Sequence, residues 1–251
     1  KSIYDFRCLS LNQIYELHYK QSTRGDKKTV SDAYCKIKIN EFLEKEIIER
    51  VTYADLEVFF LTTLGVDIVR YCYSLPTNIY DAKRKVSSRG YYRASELKIA
   101  EKYINHQLHL NQFMIDFIML EHDVFWKYFD EKHISSFKSI RPDGLLSILD
   151  VDFFIETDMA TESEKQLCDK WENYRDFLVS SEYEYAEKKI VVLFVVEGTK
   201  HLQRRIDLVK HTIGKRLLDR IGPNFEIYVN TRENILRFLD SFITNTLNGN
   251  K

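Results

Sequence analysis

The 251-residue sequence predicts a chain of mixed α+β and α/β class, a small helix-rich module followed by a larger mixed-sheet domain. Three observations lead there. Residues 9–63 run helix, loop, helix and then two short β-patterned segments. From residue 95 onward the patterns follow the order α-β-β-β-α-β-α-β-α, that of helices packed on a mixed sheet. Between the two lies a segment, 83–93, with five basic residues in eleven and no acid, which with Gly90 and two serines reads as a loop or linker. The expected boundaries are therefore 1–80, a basic linker at 81–94, and 95–251.

In residues 9–20, Leu11, Ile14, Leu17 and His18 share one side of a helix that Ser10 can cap. A polar, turn-rich stretch, 21–28, follows. Thr29 or Ser31 can then cap a second helix to about Glu46, with Ala33, Ile37 and Asn40/Glu41 on its buried side and Phe42 and Leu43 joining them. Residues 47–53 and 56–63 read as two strands around an Ala54-Asp55 turn, with Gly65 ending the hairpin and a further helix at 66–73. This is the order of a winged helix-turn-helix, whose second helix enters the major groove with its N-terminal residues facing the bases. Tyr34, Lys36 and Lys38, with Lys27 and Lys28 before them, are the candidate DNA contacts; a basic, solvated helix face is the plainer alternative. In the linker Lys83, Arg84, Lys85, Arg89 and Arg93 interleave with tyrosines and suit a phosphate backbone, although a solvated linker would look the same.

Ser95 opens a long helix to about Leu120, with Leu97, Ile104, Leu108 and Ile115 along one face. His106 and His109 lie three apart on it, without a third ligand in register. A strand at 124–129 follows. Two apolar runs, 145–149 and 153–155, then flank the polar pair Asp150 and Asp152, which reads as a tight hairpin. Asp143 stands where its first strand begins, and Glu156 and Asp158 where its second ends. Residues two apart on a strand share a face, so three carboxylates are expected at one rim. A divalent cation is the usual reason to tolerate such repulsion, yet strands also begin and end in water, where acids are common. Further on, Thr161 to Glu164 fits a capping box for a helix burying Leu167, Trp171, Tyr174, Phe177 and Leu178. The apolar run 190–196 marks a central strand buried on both faces. Thr199 can cap a basic helix at 200–220, and a strand at 225–229 and a helix at 231–247 close the chain.

Composition narrows the setting. Residues 1–102 carry 18 Lys and Arg against 14 Asp and Glu, and the remainder 19 against 24, so the front is basic and the back acidic. That points to a polyanion partner for the front. Four scattered cysteines with no C-x-x-C pair suit a reducing cytoplasm and not zinc. No apolar run approaches the roughly 18 residues of a membrane span, and residues 1–20 lack a signal-peptide layout. The expectation is a soluble cytoplasmic protein.

From residue 95 the helix, three strands, helix and strand resemble restriction-endonuclease-like folds with a PD-(D/E)XK motif. Pro142-Asp143 followed by Glu156-Thr157-Asp158 is similar to that motif, except that Asp158 holds the lysine's position. The resemblance implies Mg²⁺ held by Asp143 and Glu156, with Asp158 as a third carboxylate. It also implies a lysine that stabilises the attacking hydroxide or the charged transition state, for which Lys165 is the nearest replacement. The whole chain also resembles the replication-relaxation family of plasmids and other mobile elements in Gram-positive bacteria. The matching pieces are 58–65, 109–117, Arg141-Pro142-Asp143 with 154–158, Thr161, Glu162, Lys165 and Tyr174, and the strand at 192–195. That family implies DNA binding in plasmid replication or transfer.

Three functions follow as expectations. The first is a DNA-binding accessory or initiator protein whose nuclease-like C-terminal domain lacks full catalytic equipment. The second is a Mg²⁺-dependent nuclease or nickase using Asp143, Glu156 and Lys165. The third is a regulator acting through protein contacts. Double-stranded DNA is the expected partner, with replication or conjugation proteins and a second copy of the chain as further candidates.

Overall fold

The structure is a computed structural model. It describes residues 1–20, 32–75, 92–130, 137–180, 189–220, 222 and 224–249, with the backbone alone at 79–81, 86–88, 220 and 249. The chain divides into two compact units, Lys1–Ile115 and Asp116–Lys251.

The first unit runs α1 (Ser2–Phe6), β1 (Leu9–Ser10), α2 (Leu11–His18), α3 (Asp32–Glu44), β2 (Ile48–Tyr53), β3 (Leu56–Leu61) and α4 (Thr63–Cys72). It continues through a two-stranded ribbon, β4 (Ile79–Asp81) and β5 (Val86–Ser88), to α5 (Ala94–Leu97) and α6 (Glu101–Ile118), whose last turn passes the division. Ser10 caps α2 as expected, in a full capping box with Gln13. The β2–β3 hairpin closes on Ala54 and Asp55, both at positive φ (45° and 66°), the pair of left-handed residues that a two-residue hairpin turn requires. Leu9 and Ser10 add to the other edge of β3, so the sheet order is β1-β3-β2.

Two expectations change here. The buried residues of α3 are Cys35 and Ile39, while Ala33, Ile37 and Asn40 face outward, Ile37 at 54% exposure. Apolar residues lie all round this helix, so its pattern defines no single stripe. Gly65 does not end the hairpin; it lies inside α4, which Thr62 caps by accepting the Gly65 N–H at 3.1 Å. A Cβ at Gly65 would overlap the Ile47 carbonyl oxygen, so glycine lets α4 close on the start of the hairpin.

The helix expected to open a second domain at residue 95 instead belongs to the first unit and is broken between α5 and α6. Ile104 and Leu108 pack with Cys8, Val58 and Phe60. Asn111 is fully buried, and its amide donates to the carbonyls of Phe6 (3.1 Å) and Cys8 (2.6 Å). Gln13 donates to the Leu108 carbonyl at 2.7 Å. Those bonds satisfy polar groups that would otherwise each cost about 1–3 kcal/mol when buried.

The second unit runs β6 (Trp126–Asp130), β7 (Gly144–Ile148), β8 (Val151–Asp158), α7 (Glu164–Leu178), β9 (Lys189–Val196), α8 (Leu202–Arg216), β10 (Phe225–Thr231) and α9 (Arg232–Gly249). Its five strands lie in the order β10-β9-β8-β7-β6. β6, β7 and β8 form an antiparallel meander, while β8, β9 and β10 are parallel. β8 and β9 are buried along most of their length, as central strands covered on both faces must be. On one face Phe154, Val192, Phe194 and Val196 meet Leu167, Trp171, Tyr174 and Phe177 of α7 and Ile206, Val209 and Ile213 of α8. Each such side chain contributes about 1.5–3 kcal/mol on burial. On the other face Phe153 meets Phe238 and Phe242 of α9.

Candidate functional site

The β7–β8 hairpin fixes the two acids that the sequence singles out. The Asp143 N–H donates to the Ile155 carbonyl at 2.9 Å, and its carboxylate accepts the Thr157 N–H at 2.7 Å. Asp143 is thereby held against the last turn of pleat before the end of β8. Alternation along β8 sends Phe154, Glu156 and Asp158 to the face covered by α7 and α8, and the contacts of all three agree.

Glu156 is 3% exposed and doubly held. One carboxylate oxygen accepts from the Lys170 ammonium at 2.9 Å, the other from the Tyr174 hydroxyl at 2.6 Å. Lys170 also pairs with Glu162 at 3.2 Å. Gln166, Lys170 and Tyr174 follow at i, i+4 and i+8 on α7, which places them on one side of the helix. The helix begins at Ser163, whose hydroxyl accepts the Gln166 N–H at 3.3 Å, while Gln166 accepts the Ser163 N–H at 2.8 Å. The capping box expected at Thr161–Glu164 thus lies two residues further on, because both stretches fit the same Ser/Thr-x-x-Glu/Gln pattern. Beside these groups a cleft of about 310 Å³ is lined by Arg141, Glu156, Glu162, Gln166, Lys170 and Tyr174, among others.

The electrostatics follow from burial. Burial pushes the Glu156 carboxyl upward, and the like charge of Asp143 adds to it; Lys170 and the Tyr174 hydroxyl pull the other way. For Lys170, burial opposes the charged form, but Glu156, Asp143 and Glu162 together outweigh it and hold the amine above its ordinary range. Lys170 is therefore an ammonium ion. Burial, and then the Glu156 charge, raise the Tyr174 phenol well above its usual value, so it stays a hydrogen-bond donor.

The other expected site residues lie elsewhere. Asp158 shares the Glu156 face but is taken by Arg205 of α8, which donates to both of its oxygens at 2.6 and 2.9 Å. The same guanidinium donates to the Glu162 carbonyl at 2.8 Å, and Asp158 accepts the Ala160 N–H at 2.9 Å. Such a two-pronged arginine fork fully employs the carboxylate, so the expected rim of three acids does not assemble. Among the described residues no group of three or more His, Cys, Asp or Glu is arranged to hold a metal ion. Lys165 is exposed on α7; the lysine that reaches Glu156 is Lys170. Spacing along β8 could not reveal it, since the contact spans fourteen residues and depends on how α7 packs back on the sheet. The one signal was the i, i+4, i+8 spacing of Gln166, Lys170 and Tyr174, which puts a lysine in line with a buried tyrosine.

In the first unit Tyr34 (45% exposed) and Lys36 lie on the outer side of α3. Lys38 pairs with Glu41 at 2.9 Å and lies over the Tyr34 ring. Arg93 is exposed at the start of α5. Lys27, Lys28, Lys83, Arg84, Lys85 and Arg89 lie outside the described residues. No helix among the described residues is long and apolar enough to cross a membrane.

Comparison with known proteins adds one finding. A family model described as replication-relaxation matches residues 1–193, a span that takes in Asp143, Glu156, Lys170 and Tyr174 but stops within β9, short of Arg205. No characterised protein and no solved structure matches the chain. With well over half its length covered by that one model, from α1 through the cleft residues of α7, the chain belongs to the replication-relaxation family.

Proposed function

We propose that the first unit is a winged helix-turn-helix that grips duplex DNA, and that the chain serves as an accessory or initiator protein in the replication or relaxation of plasmids or other mobile elements. The observation that carries this is topological. A helix, a short strand, two helices and a hairpin, with sheet order β1-β3-β2, is how a winged helix-turn-helix is wired. In that wiring α3 is the helix that enters the major groove. Its outer side offers Tyr34, Lys36 and Ile37, and β2–β3 with its Ala54–Asp55 turn is the wing. Lys38 reaches a phosphate only by leaving Glu41. Family membership supports a role in replication. In the second unit the antiparallel meander β6-β7-β8, then α7, then parallel β9, follows a restriction-endonuclease-like order.

The test is filter binding of the full chain to a 30-base-pair duplex over a range of salt. Affinity falls linearly with salt on logarithmic axes, by about one unit of slope for each phosphate neutralised. Lys36→Ala lowers that slope by about one, and Tyr34→Ala weakens binding without changing it. Absence of any retained duplex at low salt refutes the reading.

A further inference from the structure

We propose that the outer face of α4 is the contact between two copies of this chain, which pair antiparallel about a twofold axis close to Ile68. The inference stands on the surface of the first unit and does not depend on duplex binding.

The first observation is a second apolar face. Leu64, Ile68 and Tyr71 follow at i, i+4 and i+7 on α4 and so form one stripe along it. They are 49%, 37% and 89% exposed. The other side of the helix already buries Gly65, Val66 and Val69, so the stripe is not what anchors α4 to its own unit. Contiguous apolar surface of this kind marks a contact with another molecule. Its size suits a small dimer. An aromatic side chain presents about 150–250 Å², so Tyr71 alone offers about 200 Å². With Leu64, Ile68 and the polar flanks each copy brings about 500 Å², and two copies reach the roughly 1,000 Å² that a specific interface needs.

Charge selects a second copy as the occupant. Asp67 and Arg70 lie on one flank of the stripe, where the guanidinium donates to the carboxylate at 3.1 Å. An antiparallel pair of helices brings like flanks together, so the Asp67 of each copy meets the Arg70 of the other. One acid and one base three residues apart are therefore self-complementary, which is what a twofold contact demands. The same flank opens on a cleft of about 330 Å³ lined by Thr63, Asp67, Arg70 and Arg93, among others. An acid arriving from the other copy thus finds two arginines. Cys72 lies beside the stripe and is exposed, while Cys8, Cys35 and Cys168 are buried. Pairing about Ile68 at a rise of 1.5 Å per residue sets the two Cys72 thiols about 10–15 Å apart.

The deciding experiment is sedimentation equilibrium of the full chain over a wide range of concentration, with no DNA present, joined to cross-linking by bismaleimidohexane. Wild type is expected to associate to a dimer as concentration rises, and to cross-link to twice the mass of one chain. Cys72→Ser abolishes the cross-link and leaves the dimer. Ile68→Glu sets two carboxylates against each other across the axis and weakens association by at least about 30-fold. Tyr71→Glu does the same from the most exposed position of the stripe, so a fold defect in one variant leaves the other to decide. Asp67→Arg weakens the dimer, and Asp67→Arg/Arg70→Asp restores it, a recovery that follows from exchange across a twofold axis. A monomer at every concentration overturns the proposal, whatever else covers the stripe. So does a dimer that both Ile68→Glu and Tyr71→Glu leave intact, since the copies then meet through another face.

Discussion

Replacing Arg205 by alanine tests whether Asp158 has been converted from a candidate functional acid into a structural one. The guanidinium makes two bonds to Asp158 (2.6 and 2.9 Å) and one to the Glu162 carbonyl (2.8 Å). The Arg205 side chain is 9% exposed and that of Asp158 is 0% exposed. Hydrogen bonds to charged groups contribute roughly 1.5–3 kcal/mol each, but desolvation of both ions offsets much of that sum. What remains after Arg205→Ala is a buried carboxylate held by the Ala160 N–H alone. Breaking a buried pair from one side costs about 3–5 kcal/mol, while replacing both partners with apolar residues of similar size is often neutral. Urea titration followed by tryptophan fluorescence is therefore expected to show a loss of about 3–5 kcal/mol for Arg205→Ala. In the double variant Asp158→Leu/Arg205→Met most of that loss is recovered. A loss below about 1 kcal/mol, the range of solvated pairs, would falsify the view that Asp158 is held out of the cleft by this fork.

Three further outcomes follow from particular contacts. Gly198 has φ of +70°, and a Cβ there would sit 2.8 Å from the Met159 carbonyl oxygen; Gly198→Ala is expected to lower stability by more than about 1 kcal/mol in a thermal melt. Ser163→Ala removes the cap of α7 and should cost about 1 kcal/mol, with no change expected in duplex retention. Burial pushes the Cys8 thiol up from its ordinary value to about 12. Because the unfolded thiol loses its proton first, this stabilisation is complete below pH 9 and fades by about 1.4 kcal/mol per pH unit as pH rises toward 12. Cys8→Ala should flatten that decline in alkaline urea titrations, and an unchanged pH profile would count against it.

How far the sequence foretold this depends on how local each cause is. Ser10, the Ala54-Asp55 turn and the hairpin bearing Asp143, Glu156 and Asp158 were all legible, since capping and strand alternation act within a few residues. The buried side of α3 was not, because Ile37 and Phe42 lie on its exposed side and only the partner surface decides which apolar residues are covered. The helix after residue 95 was legible as a helix, but its allegiance was not. Asn111 reaches back more than a hundred positions to Phe6 and Cys8, and nothing in its neighbourhood announces that. Lys170 was missed for the same reason. Motif spacing looks for the lysine along β8, whereas the amine arrives from a helix whose placement is set by Leu167, Trp171, Tyr174 and Phe177 burying against the sheet.

The Asn111 anchor also dictates where the chain can be cut. A fragment ending at residue 80 would strip Ile104 and Leu108 from Cys8, Val58 and Phe60 and leave two carbonyls unanswered inside the molecule, so it should melt without cooperativity. Extending the fragment through residue 118 restores the amide's partners and, with them, a sharp transition. Whoever wishes to study the amino-terminal half in isolation must carry the mid-chain helix along as an internal splint.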